Sequence, residues 1–284
     1  MKIIRKVVPA NFNLFLFGDD HEGTTLRYRK GWNKLCDMMQ SHYEGVNPRN
    51  NFGWHHGDPI EAIMIDDPRY DPETVKDPSI MTQIDNAVQN LEPIKTQIIG
   101  MNEGNHPLKL WRFGAITQEI CKQVGIEYGT WSSKIIFEDK KGRLLFKSYH
   151  THGRKNISSV ADDPIRAKTN QKLILKRHLK YKMGDCVLMC KGHSHKLLVQ
   201  EPTSQLYIVD DGRETRQRYT KSDHTASWIH PDHRWYCNSG SFLKLYGENI
   251  SGYAEIGEYD PIELGFAICR VRNREIQGID KIVV

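Results

Sequence analysis

Five short fragments constrain this chain more than any other feature: Gly18-Asp19-Asp20-His21, Gly57-Asp58-Pro59-Ile60-Glu61, Gly104-Asn105-His106, His152-Gly153 and Gly192-His193-Ser194-His195. Each pairs a hard or borderline metal ligand with a glycine, and each follows an apolar run that reads as a β-strand. A lone Asp-x-His or Gly-Asn-His is more often a turn, because Asp, Asn and Gly are turn formers. Five such fragments in this order are hard to explain as packing. Together they supply enough Asp, Asn and His side chains to hold two metal ions.

In a strand, residues i and i+2 share a side. Asp19 and His21 are therefore expected to aim together while Asp20 points away, and His193 and His195 repeat the pattern. Glycine before Asp19 and Asp58 lets the backbone turn where a strand stops. Asp58 can bridge two cations through its two oxygens, Asn105 offers a neutral amide oxygen, and His152 comes from a further strand end. His150 shares a strand face with His152 and reads as a supporting or sheet-surface residue, whereas His55 and His56 read mainly as packing. His224, His230 and His233, set among Asp223 and Asp232, read as a solvated loop near the mouth of the site.

The coarse pattern alternates strand and helix. Helices are expected over 24–42, 79–91, 108–124 and 166–183, where apolar residues recur at helical spacing, and strands over 12–17, 52–56, 96–101 and 187–190. Runs 134–137 and 144–149 read as neighbouring strands around Lys140-Lys141-Gly142. The tail runs 206–209, 235–237, 266–271 and 275–284 read as antiparallel strands. With no internal repeat or long linker, residues 1–284 read as a single domain. Strand ends carrying motifs and joined by helices imply a layered α/β architecture with the site at one sheet edge.

Hydrophobic residues make up 38% of the chain, enough for a core, and no apolar run approaches the roughly 20 residues that cross a bilayer. No membrane partner is expected. The apolar stretch after Lys2, Arg5 and Lys6 is short and ends at Asp19, so it reads as a strand entering a site rather than a signal peptide. None of the six cysteines forms a CxxC pair. Cys186 and Cys190 lie in a strand-like run without a second pair to complete a zinc knuckle. A reduced, cytoplasmic setting is the expectation. The net charge of +5 is unevenly spread: residues 141–200 hold fourteen Lys and Arg against Asp162, Asp163 and Asp185. That excess suits an anionic substrate.

At these motifs the chain resembles the calcineurin-like metallophosphoesterases, whose signature is D-x-H, G-D-x-x-D, G-N-H-E/D, H and G-H-x-H. It looks like a compact member, distantly similar to the SbcD-type nucleases but without room for their capping region. The likeness covers nearly the whole chain and extends to Asn238-Ser239-Gly240-Ser241, which is similar to an N-P-G-S turn of that family. The resemblance implies a four-layer α-β-β-α sandwich with two mixed sheets and the metal site at the strand ends. It implies one metal on Asp19, His21, Asp58 and His195, and a second on Asp58, Asn105, His152 and His193. The pair would be divalent transition-metal ions, Mn2+ first, with Fe, Zn or Ni as alternatives. A bridging hydroxide would attack phosphorus, and His106 would stabilise charge or protonate the leaving group. Two departures stand out: Glu61 replaces the Asp that orients the Gly-Asn-His histidine, and Pro107 replaces an acidic residue after His106.

Substrate clues come from the basic segment. On a helical wheel over 166–183, Ile174, Leu175, His178 and Tyr181 share one arc, with Lys172, Lys176, Arg177 and Lys180 on the other. That arc reads either as a solvated basic face or as a track for a phosphate backbone. Arg154 and Lys155, closer to His152, are the favoured phosphate contacts. The leading expectation is a two-metal phosphodiesterase acting on DNA or RNA. A phosphomonoesterase or small-nucleotide hydrolase is the alternative, and a non-catalytic nucleic-acid-binding scaffold is the alternative of a different class. A protein Ser/Thr phosphatase is disfavoured, because that branch reads G-D-x-V-D-R-G where this chain reads Gly57-Asp58-Pro59-Ile60-Glu61-Ala62.

Overall fold

In the computed structural model, which describes residues 1–284 apart from the side chain of Tyr253, two large mixed sheets and few helices make a mixed α/β fold. The first half of the chain lays down β1 (Lys2–Val7), β2 (Phe12–Phe17), α1 (Arg29–Met39), β3 (Asn51–His55), α2 (Ile80–Leu91), β4 (Ile98–Met101), α3 (Asn105–Leu108), α4 (Ile116–Val124) and β5 (Glu127–Tyr128). The second half adds β6 (Ser132–Glu138), β7 (Leu144–Thr151), α5 (Pro164–Leu179), β8 (Leu188–Lys191), β9 (Leu197–Gln200), β10 (Leu206–Asp210), β11 (Thr215–Tyr219), β12 (Trp235–Ser239), β13 (Gly265–Arg272) and β14 (Glu275–Val283).

One sheet runs β14-β13-β2-β3-β4-β5, with β2 to β5 parallel and β13 antiparallel to both neighbours. The other runs β1-β6-β7-β8-β12-β9 and mixes parallel and antiparallel pairs. β2 is apolar except for Asn13 and wholly buried, as a strand covered on both faces must be. Its alternate side chains part company. Phe12, Leu14 and Leu16 join Phe137, Phe146, Leu188 and Cys237 of the other sheet in one core, while Phe15 and Phe17 pack with Trp32, Leu35 and Met39 of α1 and Ile84 of α2. Leu175 and Leu179 of α5 meet Tyr149, Met189 and Tyr236 on the second sheet.

Local chemistry explains the helix bounds. The Ser79 hydroxyl accepts from the Thr82 amide at the start of α2, and Asp163 accepts from the Arg166 amide ahead of Pro164 in α5. α4 stops at Gly125 in the left-handed region (φ 81°). Several expectations need correction. The helix expected over 24–42 begins only at Arg29, because Thr24 bridges to Val75 and Arg27 to Leu243. The helix expected over 108–124 is broken, with Gly114 at φ 125° between a short turn and α4. Nor is the tail uniformly antiparallel: β12 pairs parallel with β8, and β10 pairs only with β11, outside both large sheets.

Candidate metal centre

The five fragments do meet, but at the strand ends of both sheets rather than at the edge of one. β2, β3 and β4 of the first sheet lead to Asp19 and His21, to Asp58, and to Asn105; β7 and β8 of the second lead to His152 and to His193 and His195. The strand-face argument for the D-x-H and H-x-H pairs is wrong. Asp19 (φ 53°), His21 (48°), Asp58 (53°), His193 (72°) and His195 (55°) all lie past their strands in the left-handed region. A non-glycine residue there costs about 1–3 kcal/mol, which persists only where surroundings impose it.

The surroundings do impose it. The segments after β2 and β3 are laced together: Asp19 N–H donates to the Gly57 carbonyl (2.9 Å), His21 N–H to Asp58 O (3.2 Å), Glu22 N–H to Pro59 O (3.0 Å) and Glu61 N–H to Glu22 O (2.9 Å). The Ser241 hydroxyl donates to Asp19 O (2.8 Å), and the Ser194 hydroxyl reaches Asn238 Oδ1 (3.1 Å), so the 238–241 turn braces two ligand loops. Gly104 is required by close approach, since a Cβ there would lie 2.0 Å from Asp58 Oδ1. Asp20 points away as expected, into a buried pairing with His55 Nε2 (2.7 Å), and Arg27 bridges Glu22 (2.6 Å) beside it. Sequence reasoning missed Arg27; its only signal was an arginine three residues into a predicted helix.

The side chains form two groups. Asp19, His21 and His195 gather in one, and Asp58, His152 and His193 in the other, with donor atoms within 4.8 Å inside each. His21 Nε2 faces His195 Nε2 at 3.2 Å. Asn105 Oδ1 stands 2.7 Å from His152 Nε2 and 2.6 Å from His193 Nδ1, and Asp58 Oδ2 lies 3.2 Å from His152 Nε2. Outer partners decide the tautomers. His21 Nδ1 is bonded to the Glu61 carboxylate (2.7 Å) and His152 Nδ1 donates to the His56 carbonyl (2.8 Å). In neutral rings this turns both Nε2 lone pairs inward: that of His152 meets the Asn105 and Asp58 oxygens, which can only accept, and that of His21 meets His195 Nε2. Asp19 Oδ2 accepts from the His193 amide (3.0 Å), whereas buried Oδ1 makes no hydrogen bond and stands 3.5 Å from His195 Nε2.

Such a set needs positive charge in its middle. Without a metal, protons must supply it. Burial opposes a charged His21 ring, yet the carboxylates of Glu61, Asp58 and Asp19 outweigh it and raise the ring to about 9. His152 is raised against its burial by Asp58 and Asp19. Asp19 is lowered to about 2 and Asp58 well below the carboxylate range, each against burial, by the histidines around them. Carboxylate oxygens, an amide oxygen and imidazole nitrogens are the donors that divalent transition metals take, so the residues present fit such ions.

The base of the centre is buried and its rim, Asn105, His193 and His195, is half-buried. The rim opens on a cavity of about 480 Å³ that Asp58 and His106 also line. No family model matches the chain, and no curated protein matches it. The geometry stands alone.

The remaining predicted residues are placed as follows. The His106 ring sits edge-on to His21 (4.6 Å) and its Nδ1 donates to the Glu61 carbonyl. The Glu61 carboxylate therefore serves His21 first and reaches His106 only at 3.8 Å, a reversal of the expected orienting role. Arg154 lines an adjoining hollow with Asn105, His193 and the exposed Trp111. Lys155 lines a separate chamber. On α5, Lys176 is taken up by Asp232 and Lys180 lies over Tyr181, which is 82% exposed and not on the buried arc. Neither they nor Lys172 line the cavities at the centre. His150 is fully buried, not on a sheet surface. Residues 224–233 precede β12, whose start lies beside the start of β8, so this loop is at the opposite end of the sheet from the ligands.

Proposed function

We propose that the chain is a calcineurin-like metallophosphoesterase of compact, four-layer α-β-β-α build, acting in the cytoplasm as a two-metal phosphodiesterase on nucleic acid. The observation that supports this reading is the gathering of the side chains into two groups, Asp19, His21 and His195 in one and Asp58, His152 and His193 in the other, with His21 Nε2 standing 3.2 Å from His195 Nε2 and His152 Nε2 turned onto the Asn105 and Asp58 oxygens. One ion would be held by Asp19, His21, Asp58 and His195, the other by Asp58, Asn105, His152 and His193. Mn2+ is the preferred species, with Fe, Zn or Ni as alternatives. When bound, such ions polarise a phosphoryl group and acidify water.

The chain's own groups supply the rest. Glu61 and the His56 carbonyl hold His21 and His152 in the tautomers that present Nε2. The His106 amide donates to Asp58 Oδ1 (2.8 Å) and fixes that carboxylate. With Nδ1–H committed to the Glu61 carbonyl, Nε2 is the ring atom of His106 left to exchange a proton with a reacting oxygen in the cavity it lines. Burial, against the pull of Asp58 and Glu61, lowers its pKa. Arg154, which lines a hollow with Asn105 and His193, would meet a substrate phosphate.

The test is hydrolysis of an aryl phosphodiester with added Mn2+, alongside a phosphomonoester, a cyclic nucleotide and single- and double-stranded nucleic acid. Turnover of the diester that is lost in Asp58→Ala is expected. Full activity in that variant contradicts the mechanism, and turnover of the monoester alone favours the monoesterase alternative.

A further inference from the structure

Beside the centre lies a second cavity, of about 730 Å³, which the metal ligands do not line. Its walls are Glu103, Leu108, Tyr128, Trp131, Tyr149, Thr151, Gly153, Arg154, Lys155, His178, Leu179, Lys182 and Lys191. Leu108 and Arg154 also line the hollow that holds Asn105 and His193, so the two spaces adjoin at Arg154. A volume in the range of about 300–1,000 Å³ suits a small ligand or one unit of a chain.

Charge is the telling feature. Arg154, Lys155, Lys182 and Lys191 face this space, and none of them pairs with a carboxylate among the described residues. The one acid in the wall, Glu103, is already engaged by the Tyr128 hydroxyl (2.7 Å), the Thr117 hydroxyl and the Gly104 amide (3.1 Å). Lys191 is 2% exposed and spends its ammonium on the Lys155 carbonyl (2.6 Å). His178 Nδ1 is buried without a partner. Clustered unpaired cations repel one another and call for an anion.

Three aromatic rings, of Tyr128, Trp131 and Tyr149, also line the wall. The Arg154 guanidinium lies over the Trp131 ring (5.3 Å to its centroid), and Tyr149 and Tyr128 stand nearby. Unpaired bases stack on such rings and guanidinium planes, and a basic groove follows the backbone that joins them. An acidic peptide would satisfy the cations and leave the platform idle.

We propose that this chamber seats the nucleotide next to the phosphate being cut, so that the substrate is a single-stranded nucleotide chain running from the metal centre past Arg154 toward Lys155 and Lys182. The idea rests on the phosphoesterase reading for its choice of scissile phosphate, but the chamber can be tested by itself.

The experiment measures fluorescence anisotropy of a short, 5′-phosphorylated oligothymidylate with the full chain in EDTA, over a range of salt. Lys182 is exposed, so Lys182→Gln and Lys182→Glu should fold normally. Lys182→Gln is expected to bind roughly tenfold more weakly and to lower the slope of log affinity against log salt by about 0.7. Lys182→Glu should lose more, and Trp131→Ala should lose about 5- to 100-fold through stacking. Wild-type affinity in all three variants overturns the proposal, as does a Trp131→Ala protein that binds like wild type while inorganic tripolyphosphate competes as well as the oligonucleotide. Aryl diester turnover by the wild type with Mn2+ reads the centre alone, so a failed chamber and a failed phosphoesterase reading are told apart.

Discussion

His56 and His150 are buried as completely as His21 and His152, yet the two groups of rings resolve their hydrogen bonding in opposite ways. Behind the centre, the Ser148 hydroxyl bonds His150 Nε2 (2.8 Å), His150 Nδ1 meets His56 Nε2 (3.1 Å) and His56 Nδ1 reaches the Phe17 carbonyl (3.3 Å). Each donor there finds an acceptor, and the chain closes with neutral rings. Burial and the neighbouring histidines lower both, His56 to about 3. With Cys190 these two rings could also surround an ion, but their lone pairs are already used. In the centre, outer partners turn Nε2 of His21 and His152 inward, and that of His152 meets the Asn105 and Asp58 oxygens, a set that could hold a metal ion. Equal burial thus leaves the two groups of rings with opposite hydrogen-bond directions, closed on one another behind the centre and turned inward within it.

The largest break in that contrast should come from a change that replaces none of the proposed ligands but displaces one. Gly104→Ala drives a methyl into Asp58 Oδ1. It should cut Mn2+-dependent diester turnover by about 10²-fold or more, as a misplacement near 1 Å does, and metal analysis should find fewer ions bound per chain than in the wild type. Next, Glu61→Gln keeps the shape of the His21 partner but removes its charge. Metal affinity, read by competition with a chelator, should fall about 10- to 100-fold. Ser148→Ala strikes the other cluster and leaves His150 Nε2 buried without its donor. It should cost about 1–3 kcal/mol in urea unfolding with metal content unchanged; a loss of metal would erase the distinction between the clusters. The smallest effect belongs to α5. Replacing Lys172, Lys176 and Lys180 together should change oligonucleotide cleavage by no more than about threefold, because these lysines sit on the surface away from the centre's cavities.

The gathering of these side chains was legible in their chemistry: Asp19, Asp58, Asn105 and the four histidines His21, His152, His193 and His195 come together in two groups that could hold metal ions. The reason given for the D-x-H and H-x-H pairs was not the right one. The preceding glycines announce a turn but not that Asp19, His21, Asp58, His193 and His195 themselves enter the left-handed region, and the force that holds them there comes from other loops, such as Gly57 O on the Asp19 amide. Strands such as β2 and helices such as α2 follow local pattern and capping and came out close to expectation. The start of α1, the break before α4 and the parallel pairing of β12 depend on contacts distant in sequence, which periodicity does not register. The basic arc of α5 misled for a similar reason: its charges were visible, but Asp232 beside Lys176 and the chamber around Lys182 were not.

The proposal turns on Asp58, the one carboxylate that both ions would share. Electron paramagnetic resonance of the Mn2+-loaded chain tests it most directly. The account predicts the spectrum of a magnetically coupled pair in the wild type, reverting to that of isolated ions in Asp58→Ala. Isolated-ion spectra in the wild type at full metal loading would contradict it.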